Sequence, residues 1–296
     1  MRRGWIAAVT LVALVGTSVA IQVVRDRLYP RADIISNLLY IQSGSVLRTI
    51  ALSYDALLAD VYWIRAVQHF GGTRRSADPA KKYGLLYPLL DITTTLDPSF
   101  NIAYRFGAIF LAEPFPGGAG RPDLAVRLLE KGMKARPDRW QYLQDAGFVH
   151  YWSLRDYKTA AAWFQKASEV PGAPWWLRSL AAASLTEGGE RRGARLLWQQ
   201  MAQTADNDWL MNEAARRLRQ LDALDQIDAL QSLVSEFIRR SGHRPDSWPD
   251  LVRAGFLRGT PADPAGEPYV LDPQTSTVTV SPRSPLSPLP QDPKGP

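Results

Sequence analysis

The sequence predicts an all-α fold: an array of stacked helix pairs behind an apolar amino-terminal helix, closed by a small α+β module. Three observations carry this. Ala125, Leu129, Gly132 and Pro137 fall at offsets 0, 4, 7 and 12; Ala160, Phe164 and Ala167 repeat the first three, with Pro171 one place early; Ala194, Trp198 and Met201 repeat them again. The three series therefore start at positions 125, 160 and 194, and Trp140, Trp175 and Trp209 keep the same spacing ahead of them. A period near 34 with small, large and small residues and a closing Pro marks a helix-turn-helix array. The third observation is the run from Trp5 to Val24, which carries no charge.

That run spans about 30 Å as a helix, the thickness of a hydrocarbon core. It predicts a transmembrane anchor over residues 1–24, with Trp5 at the interface. A cleaved signal peptide is the alternative, since Ser18-Val19-Ala20 fits a small-x-small cleavage site. Arg2 and Arg3 precede the span and Arg25, Arg27 and Arg31 follow it, so the charge rule is nearly balanced. Signal-anchor logic places the bulk of the chain outside the cytoplasm, in the periplasm of a Gram-negative cell.

Residues 25–53 form a linker or lead-in helix. Repeats are expected over 54–222. Tyr54–Phe70 is helical, with Leu57, Leu58, Val61, Ile64 and Val67 at core spacing, and Gly71-Gly72-Thr73 ends it. Ala80–Leu96 completes a divergent first pair. The next pair, Ser99–Ala112 and Pro122–Ala135, is separated by the Pro- and Gly-rich insertion Glu113–Asp123. Arg139–Leu154 with Tyr157–Val170, and Pro174–Thr186 with Arg191–Thr204, are the third and fourth pairs. The periodic Trp residues are expected to wedge one helix against the next. Trp209–Leu221 reads as a capping helix, which a solenoid needs. A carboxy-terminal module follows over 223–280: helix Asp225–Arg240, a short helix Ser247–Ala254, and strands around Pro268–Leu271 and Thr277–Val280. The tail 281–296 is Pro-rich and expected to be disordered or extended.

The middle of the chain resembles tetratricopeptide repeats. Phe106-Gly107 with Phe110, and Ala146-Gly147 with Tyr151, match the first-helix signature of that family, and the periodic series above matches the second; together they cover about residues 99–204. Ala181-Ala182 replaces Leu-Gly in the last repeat. The resemblance implies a right-handed α-solenoid whose concave groove binds peptides or partner helices. Aligning Gly107, Gly147 and Ala182 then places Asn101, Tyr104, Gln141, Gln144, Tyr151, Trp176 and Ser179 on the groove side. Asn and Gln can hold a bound backbone, while Tyr and Trp supply contact area.

The carboxy-terminal segment resembles major pseudopilins of type II secretion. The matching residues are Gly242-His243-Arg244-Pro245, Ser247-Trp248-Pro249-Asp250-Leu251 and Asp263-Pro264-Ala265-Gly266-Glu267-Pro268-Tyr269. That family binds calcium in a later acidic loop; here Asp272 is the sole acid nearby, so no calcium site is expected. The pilin-type Gly-then-Phe processing site is also missing. The resemblance points to a secretion or pilus-type envelope machine as the setting.

The remaining composition narrows the chemistry. The chain has 296 residues, a net charge of +6 and no Cys, which removes disulfide and thiolate chemistry. Basic clusters at Arg74, Arg75, Lys81 and Lys82, at Arg191, Arg192 and Arg195, and at Arg216, Arg217 and Arg219 read as solvated helix faces, or as contacts for anionic lipid. No nucleic-acid motif accompanies them. His69, His150 and His243 lack metal-ligand spacing; His69 reads as packing or capping at a helix end and His150 as core. No phosphate cradle or nucleophile elbow exists. Asp222 and Asp225 read as solvated. The expected function is therefore a membrane-anchored scaffold that binds protein segments, with no cofactor, metal, nucleic acid or small-molecule substrate. The rivals are a permanent structural subunit of a membrane complex and an enzyme with an unrecognised site.

Overall fold

A computed structural model describes residues 13–25, 43–76, 82–205 and 207–291. The described chain is mostly helical, with one two-stranded sheet. It divides into two compact units, Met1–Leu96 and Asp97–Pro296. The division cuts the expected repeat region 54–222 after its first helix pair.

In the first unit, residues 13–25 are helical, and Leu14, Val15, Val19, Ile21, Val23 and Val24 are exposed. The first part of the expected anchor 1–24, residues 1–12, lies outside the described residues, and no described helix is long and apolar enough to cross a membrane. Helix α1 (Gly44–Ile50) begins at Ser43, whose hydroxyl accepts the Val46 N–H. Helix α2 (Asp55–Arg74) runs on through Gly71 and Gly72, where the sequence pattern predicts its end. It packs Ala59, Tyr62, Ala66 and Phe70 against α3 (Leu86–Leu96). The expected core face is corrected: Leu57, Val61, Ile64 and Val67 are exposed and Leu58 is half-buried. Two small alanines let α3 approach closely on the opposite side, and two aromatic rings supply the buried area there. Within α3, the buried Thr93 and Thr94 hydroxyls donate to Leu89 O and Leu90 O, so burial leaves neither unsatisfied.

The second unit opens with three helix pairs: α4 (Asn101–Ala112) and α5 (Pro122–Ala135); α6 (Trp140–Phe148) and α7 (Tyr157–Glu169); α8 (Trp176–Glu187) and α9 (Arg191–Thr204). Each helix packs on the next in the chain. The periodic residues Ala125, Leu129 and Gly132, then Ala160, Phe164 and Ala167, then Ala194, Trp198 and Met201, are all buried. Two glycines are needed for close approach. A Cβ on Gly132 would lie 2.9 Å from the Tyr104 ring, and one on Gly147 only 2.5 Å from Phe164.

Helix α6 continues as a π-helical turn, Val149–Leu154. The step from Gly147 to Ala160 is one position longer than the equivalent step from Ala182 to Ala194. A π turn takes up one extra residue within a continuous helix. It accounts for the longer first spacing of the periodic series, which composition alone leaves unexplained. The periodic Trp residues meet rings on other helices, although Trp175 and Trp209 are exposed: Trp175 and Trp209 meet edge-on at 5.4 Å, and Trp140 packs edge-on to Trp176 at 6.0 Å.

Helix α10 (Asp208–Ser241) is a single 34-residue helix, roughly 50 Å long. It merges the expected capping helix with the next one and crosses the expected boundary at 222/223. No Gly or Pro lies between Trp209 and Ser241 to stop it. Asn207 caps its start and Gly242, at φ 77°, ends it. Its first half joins α9 through Ala214, Leu221 and Leu224; its second half buries Ile227, Leu230, Val234 and Phe237 under the carboxy-terminal module.

That module contains α11 (Trp248–Arg253), started by a Ser247/Asp250 capping box, and antiparallel strands β1 (Val270–Leu271) and β2 (Val278–Thr279). Gln231 of α10 clamps the hairpin, donating to Ser276 O and accepting the Val278 N–H. Trp248 donates its indole N–H to Tyr269 O at 2.8 Å, and the Tyr269 hydroxyl donates to Gln226 at 2.8 Å. Asp263 is buried, accepting the N–H groups of Ala265 and Glu267 and the Ser284 hydroxyl. Asp272 accepts the N–H groups of Gln274 and Thr275, which hold its carboxyl below the usual range.

Of the tail 281–296, expected to be disordered or extended, residues 281–291 lie irregularly against α10. Fully buried Gln220 donates to Leu286 O at 2.8 Å and Pro288 O at 3.0 Å, and Leu286 and Ser284 are buried. A Pro-rich strap has few N–H donors to satisfy, and its carbonyls are read by Gln220 and by Arg216, which donates to Pro285 O, while the Ser284 hydroxyl donates to Asp263. Residues 292–296 lie outside the described residues.

Candidate functional site

The first helices of two successive pairs, α4 and α6, meet along a shallow groove. Helix periodicity brings Arg105, Ala108, Ile109 and Ala112 of α4 to one wall. Asp145 and Phe148 of α6, with Val149, Trp152 and Ser153 of the π turn, form the other. Glu113 and Pro114, at the start of the insertion, lie at one end, and the groove's volume is about 350 Å³. The floor is apolar. Ile109 is 55% and Trp152 66% exposed, far more than packing requires of such side chains.

Arg105 and Asp145 stand at equivalent positions, each two places before the repeat glycine. They form a bidentate pair, Nε to Oδ2 at 2.6 Å and Nη2 to Oδ1 at 3.0 Å. Burial pushes the Asp145 carboxyl upward, and the Arg105 hydrogen bonds oppose it. The guanidinium itself is held more firmly protonated by that carboxylate. The pair neutralises the groove at one end and fixes α4 against α6. The Ser153 hydroxyl, on the π turn, reaches Ala112 O at 3.4 Å.

None of the seven residues expected to line a concave repeat groove lines this one. Tyr104 is fully buried under Gly132, 5.2 Å from the Tyr142 ring, and is a core residue. Tyr151 is half-buried; its hydroxyl donates to Glu187, and its ring meets Trp152 and Tyr157 edge-on. Burial, with that hydrogen bond, pushes its phenol well up. Trp176 packs on Trp140, and Ser179 donates to the Met201 sulfur. Asn101, Gln141 and Gln144 are half-buried on α4 and α6. The observed lining follows the expected set by one position: 105 after 104, 145 after 144, 152 after 151. One position is about 100° of helix rotation. Opposite charges at 105 and 145, with the same separation as Phe100 and Trp140, are the signal that could have set the register.

In two of the three basic clusters, Arg191, Arg195, Arg216 and Arg217 hold partners. Arg191 donates to Asp225 at 2.9 Å and Asp228 at 2.7 Å; Arg195 donates to Asp225 at 2.7 Å and also to Asp222. Asp222 and Asp225 therefore tie α10 to α9, correcting the reading that they are merely solvated. Arg217 pairs with Glu213 at 2.7 Å, and Arg216 donates to Pro285 O. His69 is half-buried, which pushes its imidazole down. His150 sits half-buried in the π turn, 3.6 Å from the Asp156 carboxylate. The His243 ring lies against Arg244 O and meets Phe237 edge-on. No group of His, Asp and Glu that could hold a metal occurs among the described residues.

No protein-family model, curated protein or solved structure matches the chain.

Proposed function

We propose that the protein is a membrane-anchored adaptor of tetratricopeptide-repeat type, which holds a segment of a partner protein in the groove between α4 and α6. The observation that carries this reading is the groove itself: two successive first helices present an apolar floor with exposed Ile109 and Trp152, beside a charge pair that is already satisfied. An apolar or aromatic side chain of the partner fills the floor, and desolvation of Trp152 supplies a central anchor. The mechanism is binding on a rigid surface, and no reaction is assigned. The repeat series supports stacking as a right-handed solenoid. The apolar run Trp5–Val24 supports tethering at a bilayer with the bulk of the chain extracytoplasmic. The pseudopilin-like module supports an envelope assembly of the secretion or pilus kind as the setting.

The test is purification of the full-length chain from solubilised native membranes, with quantitative mass spectrometry of co-purifying proteins. Ile109→Asp and Trp152→Asp are compared with Leu196→Asp, an exposed position on α9. The expected result is a protein held in fixed ratio by wild type and Leu196→Asp and lost by both groove variants at unchanged melting temperature. Retention of every partner by both groove variants sinks the assignment.

A further inference from the structure

Helix α2 has two apolar faces, and only one is covered. Ala59, Tyr62, Ala66 and Phe70 pack on α3. On the opposite side Leu57, Val61, Ile64 and Val67 are each 40–59% exposed. An unbroken aliphatic stripe of this kind marks an interaction surface.

From this stripe we infer that α2 is a self-association surface: it pairs in parallel with the α2 of a second copy of the same chain. The positions follow a heptad. Leu57 and Ile64 take d, and Val61 and Gln68 take a, while the residues packed on α3 fall at b, c and f, away from the seam. Val61 at a with Leu57 at d suits a two-stranded parallel pair, and Gln68 at the other a position places one polar residue in the seam.

Charge decides the orientation. Asp60 lies at g and Arg65 at the following e. In a parallel pair, g meets the next e position of the other helix, so each Asp60 faces Arg65 of the second copy. In an antiparallel pair, g meets g and e meets e, which sets like charges together. Arg65 lies along the Tyr62 ring, 5.4 Å from its centre, on the flank of the seam. A parallel pair also brings both chains into α2 from the same end. Two copies tethered through apolar segments that precede α2 in sequence would meet in this way. The seam spans only about two heptads, so tethering in one bilayer, which raises the effective concentration, contributes to its occupancy.

The absence of Cys from the chain makes the test direct. Full-length Val61→Cys is reconstituted in lipid vesicles and oxidised, with Glu130→Cys, an exposed site on α5, as the collision control. Parallel pairing predicts a Val61→Cys homodimer at least about tenfold faster than the control. Asp60→Arg in the Val61→Cys background slows it, and adding Arg65→Asp restores the rate. A Val61→Cys rate equal to the control overturns the interface. Preferential cross-linking of Val61→Cys to Ile64→Cys chains, or no response to charge reversal, overturns the parallel register. Each outcome is independent of the groove on α4 and α6.

Discussion

Replacing Gln220 with Leu should loosen the carboxy-terminal strap while leaving the helices in place. Gln220 is fully buried, and its amide donates to Leu286 O at 2.8 Å and Pro288 O at 3.0 Å. Leu keeps most of the volume and removes both donors. Each lost hydrogen bond is worth about 1 kcal/mol, so the strap loses about 2 kcal/mol. At about 1.4 kcal/mol per factor of ten, its detached population rises about 30-fold. Trypsin reads this population, because Arg283 is exposed whereas Ser284, on the other side of the scissile bond, is buried. When opening and closing are fast relative to cleavage, the rate follows the open fraction. Cleavage after Arg283 should therefore accelerate about 30-fold in Gln220→Leu, with helical circular dichroism unchanged. Equal cleavage rates in wild type and variant would refute the reasoning.

Two further outcomes follow from the packing and the capping. Gly147→Ala places a Cβ 2.5 Å from the Phe164 ring, which is itself held edge-on by Phe148 at 5.1 Å. Overpacking of about 1–3 kcal/mol outweighs the roughly 1 kcal/mol gained in helix propensity, so the denaturation midpoint falls; a rise in midpoint rejects this packing. Asp156 caps α7 by accepting the Thr159 N–H at 3.1 Å, and its hydrogen bonds to Thr159 hold the carboxyl below its ordinary value. A lowered folded pKa contributes stability above the ordinary value of about 3.9 and loses it as pH falls through the folded value. Asp156→Ala should cost about 1 kcal/mol at neutral pH, and Asp156→Asn should be near neutral there while flattening the acid limb of the stability curve. An unchanged acid limb in Asp156→Asn would exclude the carboxylate as the source.

Much of the fold was legible in local spacing. Ala160, Phe164 and Ala167 lie three and four places apart, so a helix puts all three on one side, and the same holds for the other two series. The strands Val270–Leu271 and Val278–Thr279 fall within the segments expected for them. The groove was less legible, because a repeat pattern states which residues are equivalent without stating how each helix is rotated. Tyr104 and Arg105 are neighbours in sequence yet occupy core and groove, and the choice rests on Gly132, a partner on the next helix that makes room for the Tyr104 ring.

Helix α2 makes the same point from the other side. Both of its faces are apolar at helical spacing, and burial energy alone does not rank them, since the aliphatic stripe with Leu57 and Ile64 would also gain from burial and yet stays exposed. Close approach of α3 over Ala59 and Ala66 decided it. By itself the sequence determined helix content, the period of the repeats and the identity of their interface residues, because those depend on neighbours within a turn or two. Only the tertiary structure decided which α2 face is covered, which residues line the groove, and that a Pro-rich tail lies against α10. Each of those depends on a contact between residues distant in the chain, as Gln220 with Leu286 across 66 positions, and local composition carries no record of such a contact.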